Sequence, residues 1–371
     1  MSLFGSVGTP QPLDEDDVET NGLELYQLLA GRDFCKRQDD GKPRTGTAQM
    51  AAQMSNFVYA VHDHKTNHAV LIDPCWDIDG ILESLSSLGI PLKNIDTCAY
   101  THHHFDHTGG HLPKGYTGGK SIVVPGIKEM LNQGIEVAAG KFDIPKIATQ
   151  CHISPNSIRP LNDGDNVWET ENVLLKAWHT PGHTAGSMTF VAYSKTEKKN
   201  QEDKNTPPII VTGDTLFIGS CGRYDLPDSN INDMVLSLER LSTLPTHTIV
   251  CPGHNYATTM QTTIGQEQLT NQMMQQCMKL GPELRVKLKR QNTKGKESNA
   301  ITGSGGYVYK NEVKQNKTSS ASAITSYIPL PDYLGTARKV LKSHVQWEQI
   351  HDQLKCFPME VIQYEPKEAS L

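Results

Sequence analysis

The stretch Thr101 to Gly110 reads THHHFDHTGG and places His102, His104, Asp106 and His107 within six residues. Imidazole nitrogens beside carboxylate oxygens suit Zn, Fe or Mn, and no thiolate lies near enough to build a closed, purely structural Cys-type zinc site. An open, catalytic metal centre fits the donor set better. Donors that alternate along the chain, as His102, His104 and Asp106 do, cannot share one face of a helix, where neighbours recur every three or four residues. A loop must converge them, and the strand-like run Ile95 to Tyr100 supplies its rigid base. A solvated polar loop is the alternative, and it accounts poorly for four candidate donors gathered at a strand end.

Three later segments each place a further donor just after a β-like apolar run. Trp178 to Ser187, WHTPGHTAGS, offers His183; Ile209 to Gly219, IIVTGDTLFIG, offers Asp214; Val250 to Tyr256, VCPGHNY, offers His254. His183 or His254 alone would read as a hydrogen-bonded loop histidine. Together with the first cluster they read as ligands.

The ordered series H-x-H-x-D-H, PGHT, GDTLF and PGHNY, spread over roughly Asn56 to Tyr256, resembles the metallo-β-lactamase-fold superfamily, and within it the glyoxalase II-like (hydroxyacylglutathione hydrolase-like) branch. The resemblance implies an α/β fold, the four-layer αββα sandwich with a C-terminal helical extension. It implies two divalent metal ions about 3.5 Å apart, zinc first with iron or manganese as the other choices. His102, His104 and His183 would hold one ion, Asp106, His107 and His254 the other, with Asp214 bridging. His103 and His179 match no ligand position and stand as neighbouring groups. Two dications against two carboxylates leave the site positive, so a bridging water ionises near neutral pH and serves as the nucleophile. Asp106, orienting that water, and Asp214, the bridge, are the candidate catalytic residues. The substrate implied is a small-molecule thioester such as an S-2-hydroxyacylglutathione, whose thiolate leaving group needs little help from a general acid.

The substrate side departs from the glyoxalase II pattern. Cys221 to Pro227 reads CGRYDLP, where that branch has a lysine and then aromatic residues. Arg223 matches as a cation, Tyr224 as an aromatic, and Asp225 falls where a second aromatic is usual; Tyr256 matches the tyrosine after the last ligand. Arg223, Tyr224 and Tyr256 are therefore the candidate substrate-binding residues, Arg223 through a bidentate fork on a carboxylate. The CGRxD form also resembles persulfide dioxygenases of this fold, which use a single iron. In that reading His102, His183 and Asp214 form a facial triad. A retired, non-catalytic scaffold would be expected to have lost a ligand, and all seven are intact.

The elements that must position these groups are legible as alternating patterns. Phe57 to Val61 and Ala69 to Ile72 read as a hairpin of edge strands, followed by a helix capped by Asp77, with Ile78, Ile81, Leu82, Leu85 and Leu88 on one face and Gly89 as its stop. Further strands are expected at Ile122 to Val124, Val173 to Trp178, Met188 to Tyr193, Ile209 to Thr212 and Thr248 to Cys251, with a helix over Asn232 to Leu241. The chain of 371 residues is long enough for a catalytic domain plus an appendage. The expected division is a disordered acidic tail over 1–22, a catalytic domain over 23–258 and a helical region over 259–371. A flexible linker at about 288–326 interrupts the last, and Lys195 to Pro208 reads as a mobile charged insertion. The terminal stretch Gly335 to Leu354 has helical character.

With 41 acidic against 35 basic residues and a formal charge of −6, neither a nucleic-acid partner nor an anionic membrane surface is expected. No apolar run approaches the roughly 20 residues of a membrane-spanning helix, and the N-terminus lacks a signal-like core, so the expected compartment is cytoplasmic. The eight cysteines show no repeated close spacing and are expected as free thiols.

Overall fold

A computed structural model describes residues 22–36, 47–112, 117, 119, 121–195 and 208–296. The chain opens with strand β1 (Leu23–Leu29), a short helix α1 (Ala48–Met54) and the hairpin β2 (Phe57–Asp63) and β3 (His68–Ile72). Helix α2 (Ile78–Ser87) begins at Asp77, whose side chain accepts from the Gly80 amide, and ends beside Gly89 in a left-handed conformation. Its buried face is Ile78, Ile81 and Leu85. Strand β4 (Ile95–Tyr100) follows, then a single helical turn α3 (Phe105–Thr108), the ribbon β5 (Gly110–His111) and β6 (Val123–Val124), helix α4 (Ile127–Asn132), β7 (Glu136–Gly140), α5 (Ile144–Cys151) and β8 (Ile158–Leu161). The second half brings β9 (Asn166–Glu169), β10 (Val173–His179), β11 (Met188–Ser194), β12 (Ile209–Gly213) and the small hairpin β13 (Leu216–Phe217) and β14 (Ser220–Cys221). Helix α6 (Ile231–Leu241), β15 (Ile249–Pro252), β16 (Thr262–Thr263), α7 (Ile264–Thr270) and α8 (Gln272–Lys296) complete it.

Two six-stranded sheets result, ordered β1-β2-β3-β4-β7-β8 and β16-β15-β12-β11-β10-β9. Strands alternate their side chains between two faces. In β2, Phe57, Tyr59 and Val61 join Val70, Ile72 and Ala99 against Leu175, Ala177, Phe190, Ala192 and Val211 of the second sheet, forming the inner core. Val58 and Ala60 point the other way with Leu71, Cys98 and Tyr100, onto Ile78, Ile81 and Leu85 of α2 and Ile127, Ile144 and Ile147 of α4 and α5. Helix α6 buries Met234, Val235, Leu238 and Leu241. The architecture is the expected four-layer αββα sandwich with helices following its last strands.

The metal-donor loops share one edge of this sandwich because of strand direction. Strand β4 runs parallel to β3 and β7, and β12 runs parallel to β15. Strand β10 is antiparallel to β11, which is antiparallel to β12, so the ends of β10, β12 and β15 also coincide. The sheets are tied there by Met188 N–H donating to the Thr101 carbonyl and Phe57 N–H donating to that of Gly253, at 2.8 and 2.9 Å.

Three expectations are corrected. The β2–β3 hairpin is interior, because β1, unforeseen in the sequence, pairs with β2 in register from Leu23 with Asp63 to Leu29 with Phe57 and takes the edge. Lys195 belongs to the sandwich rather than to a mobile insertion: it is buried, with Nζ 2.9 Å from Glu169 Oε1 and 2.7 Å from the Thr170 carbonyl. Helix α8 continues through Lys296, so the stretch from Leu288 to Lys296 is helical backbone instead of linker. The acidic tail up to residue 21, the insertion over 196–207, the linker and terminal helix beyond 296, and Cys356 lie outside the described residues. The seven other cysteines are free thiols, with Cys221 partly exposed and the rest buried. Among the described residues no helix is long and apolar enough to cross a membrane.

Candidate metal centre

His102 and His104 sit in the loop leaving β4, and α3 turns that loop so that Asp106 and His107 face inward. His183 comes from the loop between β10 and β11, Asp214 from the residue after β12, and His254 from two residues beyond β15. The structure therefore gathers all seven sequence candidates into one cluster.

The cluster divides into two trios. His104 Nδ1 lies 3.1 Å from His102 Nε2 and 3.0 Å from His183 Nε2. In the other trio His107 Nε2 and His254 Nε2 are 3.2 Å apart, and Asp106 Oδ2 is 3.4 and 3.3 Å from them. Asp214 lies between, with Oδ2 3.5 Å from His183 Nε2 and Oδ1 3.4 Å from both His107 Nε2 and His254 Nε2. Ligand atoms held about 2.0–2.1 Å from a tetrahedral ion are roughly 3.3–3.4 Å from one another. The separations, 3.0–3.5 Å, are close to that spacing in both trios, with Asp214 within reach of each. Asp214 Oδ1 is buried and receives no hydrogen bond of normal geometry, as an oxygen kept for a cation would be. A Cβ added at Gly253 would lie 2.5 Å from that oxygen, so this close approach requires glycine.

The rings are oriented from behind. His107 Nδ1 is 2.8 Å from Asp73 Oδ2, His254 Nδ1 is 2.8 Å from the Met54 carbonyl, and His183 Nδ1 is 2.8 Å from the Arg223 carbonyl. Each outer nitrogen donates to its acceptor, which turns the inner lone pair toward the cluster. His102 Nδ1 lies 3.0 Å from the Thr101 hydroxyl, which donates to Asp73. Asn56 Nδ2 donates to Asp106 Oδ2 at 3.1 Å and to the Asp106 carbonyl at 3.0 Å, while its own Oδ1 accepts from Trp76 Nε1.

The two trios differ electrostatically. Burial, then the neighbouring imidazoles, push His102 well below its ordinary value, and burial, then His183, push His104 down to about 3. Burial opposes charge on His254 too, yet Asp214 and Asp106 outweigh it and lift this imidazole to about 9; His107 is raised by the same carboxylates. Burial alone would raise Asp106 and Asp214, but the imidazoles of His107 and His254 hold both well below the usual carboxylate range. The second trio is a place that favours positive charge, whereas in the first His102 and His104 are held as neutral nitrogen donors.

Several functional-looking residues escaped the sequence reading. Asp73, at the end of β3 with φ of 55°, accepts from the Thr101 amide and hydroxyl and orients His107; the left-handed backbone costs about 1–2 kcal/mol. Asn56 and Asp143 are likewise single polar residues flanking apolar runs. His103 and His179 stand outside the cluster, as expected: His103 lies between Asp143 and Asp228, and His179 Nε2 is 2.8 Å from the Ala185 carbonyl. Among the substrate candidates, Arg223 has its side chain 65% exposed and forked onto Asp225, at 2.9 and 3.2 Å. Tyr256 stacks on His254, ring centroids 4.7 Å apart and nearly parallel. Tyr224 is partly buried, and burial raises its hydroxyl.

The chain is similar to several known proteins. Residues 53–193 match the model of the metallo-beta-lactamase superfamily, which spans the candidates from His102 to His183. A hydroxyacylglutathione hydrolase from Pelagibacter ubique is 30% identical over 202 residues, 54% of this chain and 67% of that protein. A probable polyketide biosynthesis zinc-dependent hydrolase from Bacillus velezensis is 26% identical over 203 residues, 54% of this chain and 74% of the relative. A metallo-beta-lactamase structure from Staphylococcus aureus superposes with a TM-score of 0.48 at 23% identity, covering 67% of this chain and 63% of that one. The chain spans 67% and 74% of these two relatives, and the gathered His and Asp side chains support divalent-metal binding. On the matched motifs and the relative covered over two thirds of its length, this chain belongs to the metallo-β-lactamase superfamily, in its glyoxalase II-like branch.

Proposed function

We propose that this protein is a metal-dependent hydrolase with a dinuclear centre, most suited to cleaving a thioester such as an S-2-hydroxyacylglutathione. The observation that carries the reading is Asp214, whose two oxygens each face a different trio of donors. His102, His104 and His183 would hold one divalent ion and Asp106, His107 and His254 the other, with zinc the ion expected from these ligands. Bound there, the ions supply Lewis acidity and a hydroxide available near neutral pH.

The chain's own residues do the rest. Asp106, fixed by the Asn56 amide, holds its carboxylate as an acceptor beside the place where a nucleophilic water would sit. The stacked ring of Tyr256 and the edge of Phe217 close the His254 side with apolar surface. Arg223 offers an exposed guanidinium for a substrate carboxylate, exchanging Asp225 for it, and Tyr224 offers an aromatic flank. A thiolate is a good leaving group, so the absence of an assigned general acid is no obstacle. The relatives named hydroxyacylglutathione hydrolase and zinc-dependent hydrolase support this class.

A mononuclear iron dioxygenase would use His102, His183 and Asp214 and would leave Asp106, His107 and His254 as a buried polar trio without employment. The test is metal content by mass spectrometry on protein purified without added metal, together with thioester hydrolysis and oxygen uptake on glutathione persulfide. Two ions per chain with thioester turnover and no oxygen uptake are expected. One iron with persulfide-dependent oxygen uptake would overturn the proposal.

A further inference from the structure

We infer that Asp143 is a positioning residue that locks the first donor trio by clamping the His102–His104 loop against the His183 loop, an inference that rests on the metal-binding reading of that trio. Asp143 precedes α5 as its N-cap residue, where an aspartate ordinarily accepts from the helix's own first amides. Here it makes no such bond. Its carboxylate, 1% exposed, turns away from the helix into the space between the two loops. Oδ1 accepts from the Gly186 amide at 2.8 Å. Oδ2 accepts from the His103 amide at 2.9 Å and the Thr184 hydroxyl at 2.7 Å, with His103 Nδ1 a further 3.1 Å away.

These partners are the chain neighbours of the donors. His103 stands between His102 and His104, and Thr184 follows His183 directly. One buried anion therefore sets the distance between the segments that supply all three nitrogens. The approach is built to fit: a Cβ at Gly186 would lie 2.5 Å from Asp143 Oδ1. The far side of His103 is fixed as well, with Nε2 3.1 Å from Asp228 Oδ2, which also pairs with Lys146 of α5. Burial opposes ionisation of Asp143, and the donors from His103 and Thr184 outweigh it and hold the carboxyl below its ordinary value. Charge-assisted hydrogen bonds of this kind are shorter and stronger than neutral ones.

The second trio has other anchors: Asp73 behind His107, Asn56 behind Asp106 and the Met54 carbonyl behind His254. Loss of Asp143 should therefore fall on one trio. In Asp143→Asn an amide NH2 faces at least one of three donors, so a buried N–H or O–H loses its acceptor. Zinc titration of the full chain, followed through the imidazole NMR signals of each trio, reads the effect site by site. The zinc concentration that half-fills the His102, His104 and His183 trio should rise 10- to 100-fold, the range typical of a lost outer partner. That for His107 and His254 should move less than threefold. Thr184→Val, which deletes one hydrogen bond at nearly constant volume, should shift the first trio alone by a few fold, and it carries the test if the Asn variant does not fold. Equal shifts in both trios, or none in either, would overturn the inference. A wild-type protein whose histidine signals ignore zinc would instead refute the metal reading itself, and the inference with it.

Discussion

Replacing Asp214 by asparagine keeps the side chain's shape and removes only its charge. The carboxylate lies 3.4 Å from His107 Nε2 and His254 Nε2 and 3.5 Å from His183 Nε2, so it faces both trios. Two unit charges roughly 3.4 Å apart at an effective dielectric of about 20 interact by about 5 kcal/mol, and a divalent ion doubles that. Keeping only half of the single-charge figure, to allow for the amide oxygen and solvent rearrangement, leaves about 2.5 kcal/mol. That is roughly sixtyfold in affinity at about 1.4 kcal/mol per factor of ten. The first trio is hit hardest in kind, since among the described residues Asp214 is the carboxylate that reaches its inner nitrogens. Asp214→Asn should therefore retain one zinc or fewer after gel filtration against a weak chelator, where the wild type should keep two, and turnover should fall at least about 10²-fold, as for loss of one preorganised electrostatic group. Chelator competition and metal analysis on the same sample read both quantities. A variant that keeps two ions with wild-type resistance to chelation and near-normal turnover would refute the bridging role.

Arg223→Ala should raise KM several-fold with little change in kcat, because the exposed guanidinium would anchor substrate in ground and transition states alike while the Arg223 carbonyl still holds His183; an equal fall in kcat would contradict this. Asn56→Ala strips Asp106 of a donor and leaves the buried Trp76 Nε1–H without its acceptor, so it should cost about 1–3 kcal/mol in denaturant unfolding, and an unchanged midpoint would count against the network. For metal-free protein the sign of the pH dependence follows from the shifted histidines. His104 at about 3 lies below its unfolded value of 6.5, so between those limits the unfolded state binds more protons and stability rises with pH. His254 at about 9 lies above 6.5, so from there to about 9 the folded state binds more protons and stability falls. Thermal melts in chelator should show a maximum near neutral or slightly acidic pH; a melting temperature still climbing from pH 7 to 9 would refute the assignment.

The seven candidate donors were legible as one cluster because each has a chemically loaded side chain in a short motif, and because strand ends recur before them: the runs read as strands up to Tyr100, Trp178, Thr212 and Cys251 are strands in the fold, ending within one residue of those positions. The interior of the sandwich was legible for the same reason, as in β2, where alternate residues serve two different cores. Strand β1 was not, since LELYQLL carries partly exposed Glu24, Gln27 and Leu29 at irregular intervals, and its identity comes from pairing with β2 rather than from its own pattern. Lys195 was misread because a lysine beside a charged run looks solvated, whereas its partner Glu169 lies 26 positions away.

The supports of the site were hidden by the same non-locality. Asp73 is 34 residues from His107, Asn56 is 50 from Asp106, and Asp143 is 40 from His103 and 43 from Gly186. None stands in a motif, and each would read as an ordinary turn or cap residue. A donor declares itself by what its side chain can bind, whereas an outer partner declares itself only by what has been brought next to it. Arg223 shows both levels in one residue: its guanidinium was noticed from the sequence, yet its best-defined contact is the backbone carbonyl that fixes the His183 ring, a function any residue type could perform there. Motif reading thus finds the chemistry that the site can do. The orientation of that chemistry resides in hydrogen bonds that exist only after the two sheets have closed.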